Sequence, residues 1–182
     1  MDALDAVEVE LNEATEWARR VIEKVDGHRF TVRPDPTRWS AAECLAHLSL
    51  TTQSFVPVFR KAIDDARSSG YTAGRVPKMD VIGRALRWFL EPPVRQRVKT
   101  SAPLVPKSTR AKAEALAEFR SQQGKLIDFL REVRDLDVGR IRVAWPLDSR
   151  VKYNLYSAFR ILAAHQRRHL WQAEQAVAAL AA

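Results

Sequence analysis

The sequence predicts an all-α fold, a four-helix bundle with a long proline-rich connector between its second and third helices. Three observations carry that expectation. Four long stretches repeat their apolar residues at spacings of three and four, the period of a helix with one buried face. Ser40 and Glu43 stand where the second stretch begins, in the spacing of a helix-starting motif. Prolines and glycines gather between the stretches, above all in residues 69–108. The 182 residues, 46% of them hydrophobic, suit one domain over 1–182 that buries roughly two-thirds of its unfolded surface.

Helix one is expected over about residues 3–25, where Leu4, Val7, Leu11, Ala14, Ala18, Val21 and Val25 share a face and Gly27 supplies a stop. A loop with Pro34 and Pro36 follows. Helix two, about 40–68, opens on a capping box: the Ser40 hydroxyl accepts from the Glu43 amide, and the Glu43 carboxylate accepts from the Ser40 amide. Its inner stripe runs through Cys44, His47, Leu48, Thr51, Phe55, Val58, Phe59 and Ala62, and Pro57 removes one backbone donor, which predicts a kink. The connector 69–108 holds Gly70, Gly74, Pro77, Pro92, Pro93, Pro103 and Pro106 and is too long for a plain bundle loop. Within it, Met79, Ile82, Leu86 and Phe89 mark one side of a short helix ended by Pro92. Helix three is expected over about 109–133, with Leu116, Phe119, Leu126, Leu130 and Val133 inward and Gln123 as the polar exception. A loop through Gly139 and Pro146 leads to helix four, about 151–180, whose face carries Leu155, Ala158, Leu162, His165, His169, Gln172 and Ala176.

The net charge of +8 is unevenly spread. Helix one begins acidic, whereas Arg75, Lys78, Arg84, Arg87, Arg95, Arg97, Lys99, Lys107, Arg110 and Lys112 crowd the connector and the start of helix three. No helix-turn-helix, zinc-finger spacing or aromatic RNA-binding signature accompanies them, so a solvated basic face or a surface for an anionic small molecule or partner is expected ahead of nucleic acid. No apolar run approaches the ~20 residues that span a bilayer, and the first residues do not resemble a signal peptide. Cys44 is the single cysteine, which excludes an internal disulfide and suits a reducing compartment. The expected location is the cytoplasm, without a membrane partner.

The candidate chemistry lies on helices two and four. His165 and His169 are four apart, so their imidazoles stack on one helical face, in reach of one ion. That spacing alone is weak. His47 strengthens it, because it sits on the apolar stripe of another helix, where an unpartnered imidazole would cost about 1–3 kcal/mol. One divalent ion would satisfy all three rings. Three neutral imidazoles leave at least one coordination position open, the arrangement of a catalytic site, and they suit zinc, nickel, copper or iron.

The segment Trp39-Ser40-Ala41-Ala42-Glu43-Cys44-Leu45-Ala46-His47-Leu48 resembles the W-S-x-x-E-x-x-x-H-L opening of helix two in the DinB/YfiT-like family. His165-Gln166-Arg167-Arg168-His169-Leu170-Trp171-Gln172 is similar to that family's H-x-x-R-H-x-x-Q ending. The order of elements is similar as well, including a connector that reaches Lys99-Thr100-Ser101-Ala102-Pro103. The resemblance implies a four-helix bundle of 1-2-4-3 connectivity, a nickel or zinc ion on His47, His165 and His169, and a homodimer. It further implies an activity among thiol-dependent S-transferases, thiol-dependent isomerases and hydrolases acting on a small molecule, with a low-molecular-weight thiol as cosubstrate. The family's substrate-determining residues vary, so the reaction is not fixed by the two motifs.

Several neighbours admit two readings. Gln172, one turn past His169, either orients a ligand or is solvated at the mouth of the bundle, and Gln123 has the same standing. Arg168 either binds a substrate carboxylate or lies exposed. Glu43 is within a turn of His47, but the capping box already accounts for it. Cys44 is either a soft ligand or a small buried hydrophobe. His28 is expected in a loop, outside the site. Two function classes follow: a metal-dependent transferase or hydrolase, and a non-catalytic helical bundle whose metal is structural or whose surface binds a partner.

Overall fold

The computed structural model describes residues 2–72, 75–93, 96 and 99–181; of the connector residues named above, Gly74, Arg95 and Arg97 lie outside them. Its elements are α1 (Ala3–Glu23), α2 (Gly27–Thr31), α3 (Ala41–Ser68), α4 (Val81–Leu90), a 3-10 turn (Ala102–Leu104), α5 (Lys112–Glu132), β1 (Arg142–Trp145), β2 (Asp148–Asn154) and α6 (Leu155–Ala179). The four long helices, α1, α3, α5 and α6, fall on the four predicted stretches. α3 begins as expected: the Glu43 amide donates to the Ser40 hydroxyl at 3.2 Å and the Ser40 amide to the Glu43 carboxylate at 2.9 Å. It runs on through Pro57 to Ser68. Gly70, at φ +67°, then turns the chain away in the left-handed region that favours glycine.

Two apolar clusters are stacked along these helices and reveal their directions. α1 and α6 enter the first cluster with Leu4 and Leu155 and reach the second with Val21 and Leu170. α3 and α5 run the other way, from Leu45 and Ala115 in the second cluster to Ile63 and Leu130 in the first. α1 packs against α5 and α6, and α3 packs against the same two. The first and second long helices are therefore diagonal, which differs from the 1-2-4-3 order that the resemblance implies, in which they would be side by side. The segment joining them permits this: residues 24–40, with α2 inside, are long enough to cross the end of the helices. The parallel neighbours α3 and α5 likewise need a connection that returns along their length, and residues 69–111 supply it.

Gly27 does not end α1. Helix α1 closes at Lys24, and Gly27 opens α2, where the Asp26 carboxylate accepts from the Arg29 amide at 2.8 Å and Phe30 is driven fully into the core. His28 is thus helical and exposed rather than in a loop. The helix expected in the connector is α4, but its packed side is Met79, Gly83, Leu86 and Leu90, while Ile82 faces outward. α4 lies on α6 and closes tightly there: a Cβ on Gly83 would sit 2.3 Å from the Ser157 hydroxyl oxygen. Asp80 fixes the junction, accepting from the Gly83 amide at 2.8 Å, the Asn154 amide at 2.7 Å and Arg142 at 2.8 Å.

The expected loop through Gly139 and Pro146 is a hairpin, so the fold is mostly helical, in line with the all-α expectation, with one small two-stranded antiparallel sheet in place of that loop. Val143 pairs with Tyr153, both buried, between exposed Arg142 and Lys152. That alternation has period two, which a search for three-and-four spacing passes over. Helix four accordingly starts at Leu155, not near residue 151, with the Asn154 side chain accepting from the Ser157 amide at 2.7 Å.

Candidate metal centre

α3 and α6 are antiparallel neighbours, and their facing stripes bring His47 against His165 and His169. One ring nitrogen from each of the three lies within 4.8 Å of the others. The ring centroids are 5.0 Å apart for His47 and His165, 4.4 Å for His47 and His169, and 4.5 Å for His165 and His169. The i, i+4 spacing on α6 sets the last distance, and the Ser40 cap, two turns before His47, sets the register of α3. His47 and His169 are buried, whereas His165 keeps some exposure and marks the side nearest solvent.

The connector supplies a contact that the spacing of histidines did not suggest. The backbone carbonyl of Leu104 accepts from His47 Nδ1 at 2.8 Å. A carbonyl can only accept, so the proton is on Nδ1 and the Nε2 lone pair is free. His47 Nε2 lies 3.2 Å from His165 Nε2. Two nitrogens sharing a tetrahedral ion at about 2.05 Å would be about 3.3 Å apart, so the observed separation fits a common ligand set. Nδ1 of His165 and of His169 are buried without a hydrogen-bond partner. Trp39 covers the cluster, its ring 5.0 Å from His47 and 5.9 Å from His169. The sequence carries a signal for this placement: an aromatic residue immediately before an N-cap packs back over the first turns of the helix.

All three imidazoles are held neutral. Burial lowers the pKa of His47, partly opposed by the Leu104 carbonyl. It lowers those of His165 and His169 much further, with the positive charge of the other rings and of Arg168 acting the same way. Three neutral imidazoles with one nitrogen each within 4.8 Å of the others form a donor set suited to a borderline-soft divalent cation.

The neighbouring residues separate cleanly. Gln172, one turn past His169 on α6, is a polar neighbour of that ring and opposes the lowering of its pKa by burial. Arg168 is buried rather than exposed, and its guanidinium donates to the carbonyls of Phe89 at 3.2 Å and Gln96 at 2.7 Å, tying the connector to α6 beside His169. Gln123 lies between α1, α5 and α6, its amide donating to the Leu11 carbonyl at 2.7 Å and to Gln166 at 3.1 Å. Glu43 is taken up by the cap and by Arg33 at 2.8 Å. Cys44 is fully buried, and burial pushes its thiol up to about 12, which disfavours the thiolate that a ligand or nucleophile needs.

A helical fold with three convergent histidines defines a candidate metal-binding protein. The profile of the DinB superfamily matches residues 10–173, and the chain belongs to that superfamily. The match spans the residues from α1 through His169, the whole candidate ligand set included. No curated protein and no solved structure matches the chain significantly.

Proposed function

We propose that the chain is a metal-dependent enzyme that holds one divalent ion, nickel or zinc, on His47, His165 and His169 and joins a low-molecular-weight thiol to an electrophilic small molecule. A related hydrolase or isomerase reaction would use the same site. The observation that carries this reading is the convergence of three neutral imidazoles, without a fourth His, Cys or carboxylate in the group among the described residues. A divalent ion bound there supplies a Lewis-acidic centre that lowers the pKa of a thiol or of water toward neutrality. The chain's own residues do the rest. Leu104 fixes the tautomer of His47, Gln172 orients His169, Trp39 walls off solvent, and exposure at His165 leaves one side open. The reading includes a four-helix bundle and a homodimer, for which the family resemblance is the support, a single domain, which the length and composition support, and a cytoplasmic setting, which the single cysteine supports. Among the described residues no helix is long and apolar enough to cross a membrane.

The test is elemental analysis of tag-free protein, followed by a panel of small thiols against general electrophiles with metal-loaded protein, chelated protein and His165→Ala. A rate that depends on both ion and ligand is expected. A second reading, a metal that staples α3 to α6 without catalysing, draws on the burial of His47 and His169, only 3% and 7% exposed. Metal bound with no rate anywhere across the panel would favour it.

A further inference from the structure

On the opposite side of α6 from the histidines, an open cleft of about 570 Å³ lies along the edge where α4 and the segment before it meet α6. Its walls are basic and aromatic. Lys78, Arg84, Arg87 and Arg160 line it, with Glu91 as the lone carboxylate of the lining. Trp88 stands at the rim, 63% exposed, and Met79 and Tyr156 form an apolar floor.

The charges do not cancel. Glu10 accepts from Arg160 at 3.0 Å and Arg167 at 2.9 Å, and Glu91 pairs with Arg167 and, at 3.2 Å, with Arg87. Among the described residues, two carboxylates are thus shared among three guanidiniums. Arg84 and Lys78 add two further cations that pair with no carboxylate among the described residues; Arg84 reaches only the Met79 carbonyl, at 3.4 Å. Among the described residues, five cations against two acids leave an excess of positive charge in a concave wall, where the low-dielectric surroundings concentrate the field. The volume falls within the range of roughly 300–1,000 Å³ typical of small-molecule sites.

We propose that this cleft binds a small organic anion, a carboxylate or phosphate attached to a flat aromatic or apolar body. The anion meets Arg84, Lys78 and the unneutralised part of the Arg87–Arg160 network. The flat body lies against Trp88 and the floor of Met79 and Tyr156. The guanidiniums present donors in a fork that matches either headgroup. Arg84 and Lys78 attract the ligand and Trp88 selects its shape, so the site acts independently of the metal centre.

Calorimetric titration of the full chain with 2-naphthoate, 2-naphthyl phosphate, inorganic phosphate and the neutral 2-naphthamide tests this. Both naphthyl anions are expected to bind with Kd below about 1 mM, and their ratio identifies the preferred headgroup. Arg84→Glu, at an exposed position, should weaken them by about tenfold or more, as should Trp88→Ala. His47→Ala and chelation should leave both unchanged. Equal binding of the neutral amide, equal binding of inorganic phosphate, indifference to Arg84→Glu in a variant with wild-type circular dichroism, or loss of binding on chelation would each overturn the proposal.

Discussion

His165 and Gln166 are neighbours on α6, and their side chains enter two different buried polar clusters. Gln166 faces Gln123 of α5 in a reciprocal pair: each amide nitrogen donates to the other's oxygen, at 2.6 and 3.1 Å, and Gln123 also donates to the Leu11 carbonyl at 2.7 Å. That cluster closes on itself and joins α1, α5 and α6. His165 faces His47 and His169 in a cluster that does not close: Nε2 of His47 and of His165 meet at 3.2 Å, but Nδ1 of His165 and of His169 lack partners. An unsatisfied buried polar group costs about 1–3 kcal/mol, so a cluster of them persists where something else completes it. The difference separates a fastener from a socket, although both look alike as polar interruptions of an apolar stripe.

The largest effect should come from opening the socket. His47→Ala and His169→Ala are each expected to lower divalent-metal affinity by more than about a hundredfold, since even the outer partners of a ligand are worth about 10–100-fold. Competition with a chromophoric chelator measures this. Gln123→Leu should leave the affinity unchanged, and a loss there equal to that of His47→Ala would erase the contrast between the two clusters.

The fastener should respond in stability instead. Gln123→Leu strands the Gln166 amide in the core and is expected to lower unfolding free energy by about 1–3 kcal/mol, measured by denaturant titration. Adding Gln166→Leu removes the stranded partner, so the double variant should lose less than twice the single effect. Strict additivity would mean that the two amides do not act as a pair.

Acid distinguishes the clusters too, because amides do not titrate. The folded-state pKa values of His47, His165 and His169 are lowered, chiefly by burial. The unfolded chain therefore binds more protons than the folded one once pH falls below the unperturbed value of about 6.5, and stability is lost on descending through that window. Metal-free protein should show a melting temperature that declines between about pH 7.5 and pH 5.5, and His47→Ala should flatten the decline. Metal-loaded protein should release its ion only at lower pH, because protons compete for nitrogens whose folded-state pKa values lie below the unperturbed one.

The socket was more legible in the sequence than the fastener. His47, His165 and His169 announce themselves by residue type and by i, i+4 spacing, and the Ser40–Glu43 cap fixes where α3 begins. Gln123 was visible as a polar residue on an apolar face, but its partner Gln166 was not, because it lies off the stripe that carries the histidines. The burial of Arg168 was not legible for a related reason: its neighbours are the carbonyls of Phe89 and Gln96, supplied by the connector, and no periodicity on α6 reveals what another segment lays over it. The Leu104 carbonyl belongs to this group as well, since a backbone acceptor carries no residue-type signal. The hairpin escaped through its period, and the diagonal placement of α1 and α3 escaped because connection length bounds the topology without choosing it.

The smallest effect tests whether the socket has a supporting layer. Gln172 is the polar neighbour that raises the pKa of His169 against burial, and it is partly exposed, so removing it leaves no deeply buried orphan. Its expected contribution is orientation: a ring steadied by an outer partner loses less freedom when it engages an ion and is a better donor. Gln172→Ala is therefore expected to weaken metal binding by about tenfold while leaving the melting temperature of metal-free protein nearly unchanged. Gln172→Glu, which keeps an acceptor at the same reach and adds negative charge, should restore most of the affinity. A Gln172→Ala variant that binds metal like the parent would leave the Leu104 carbonyl as the sole outer contact of the ligand set and would confine preorganisation of the site to the α3 side.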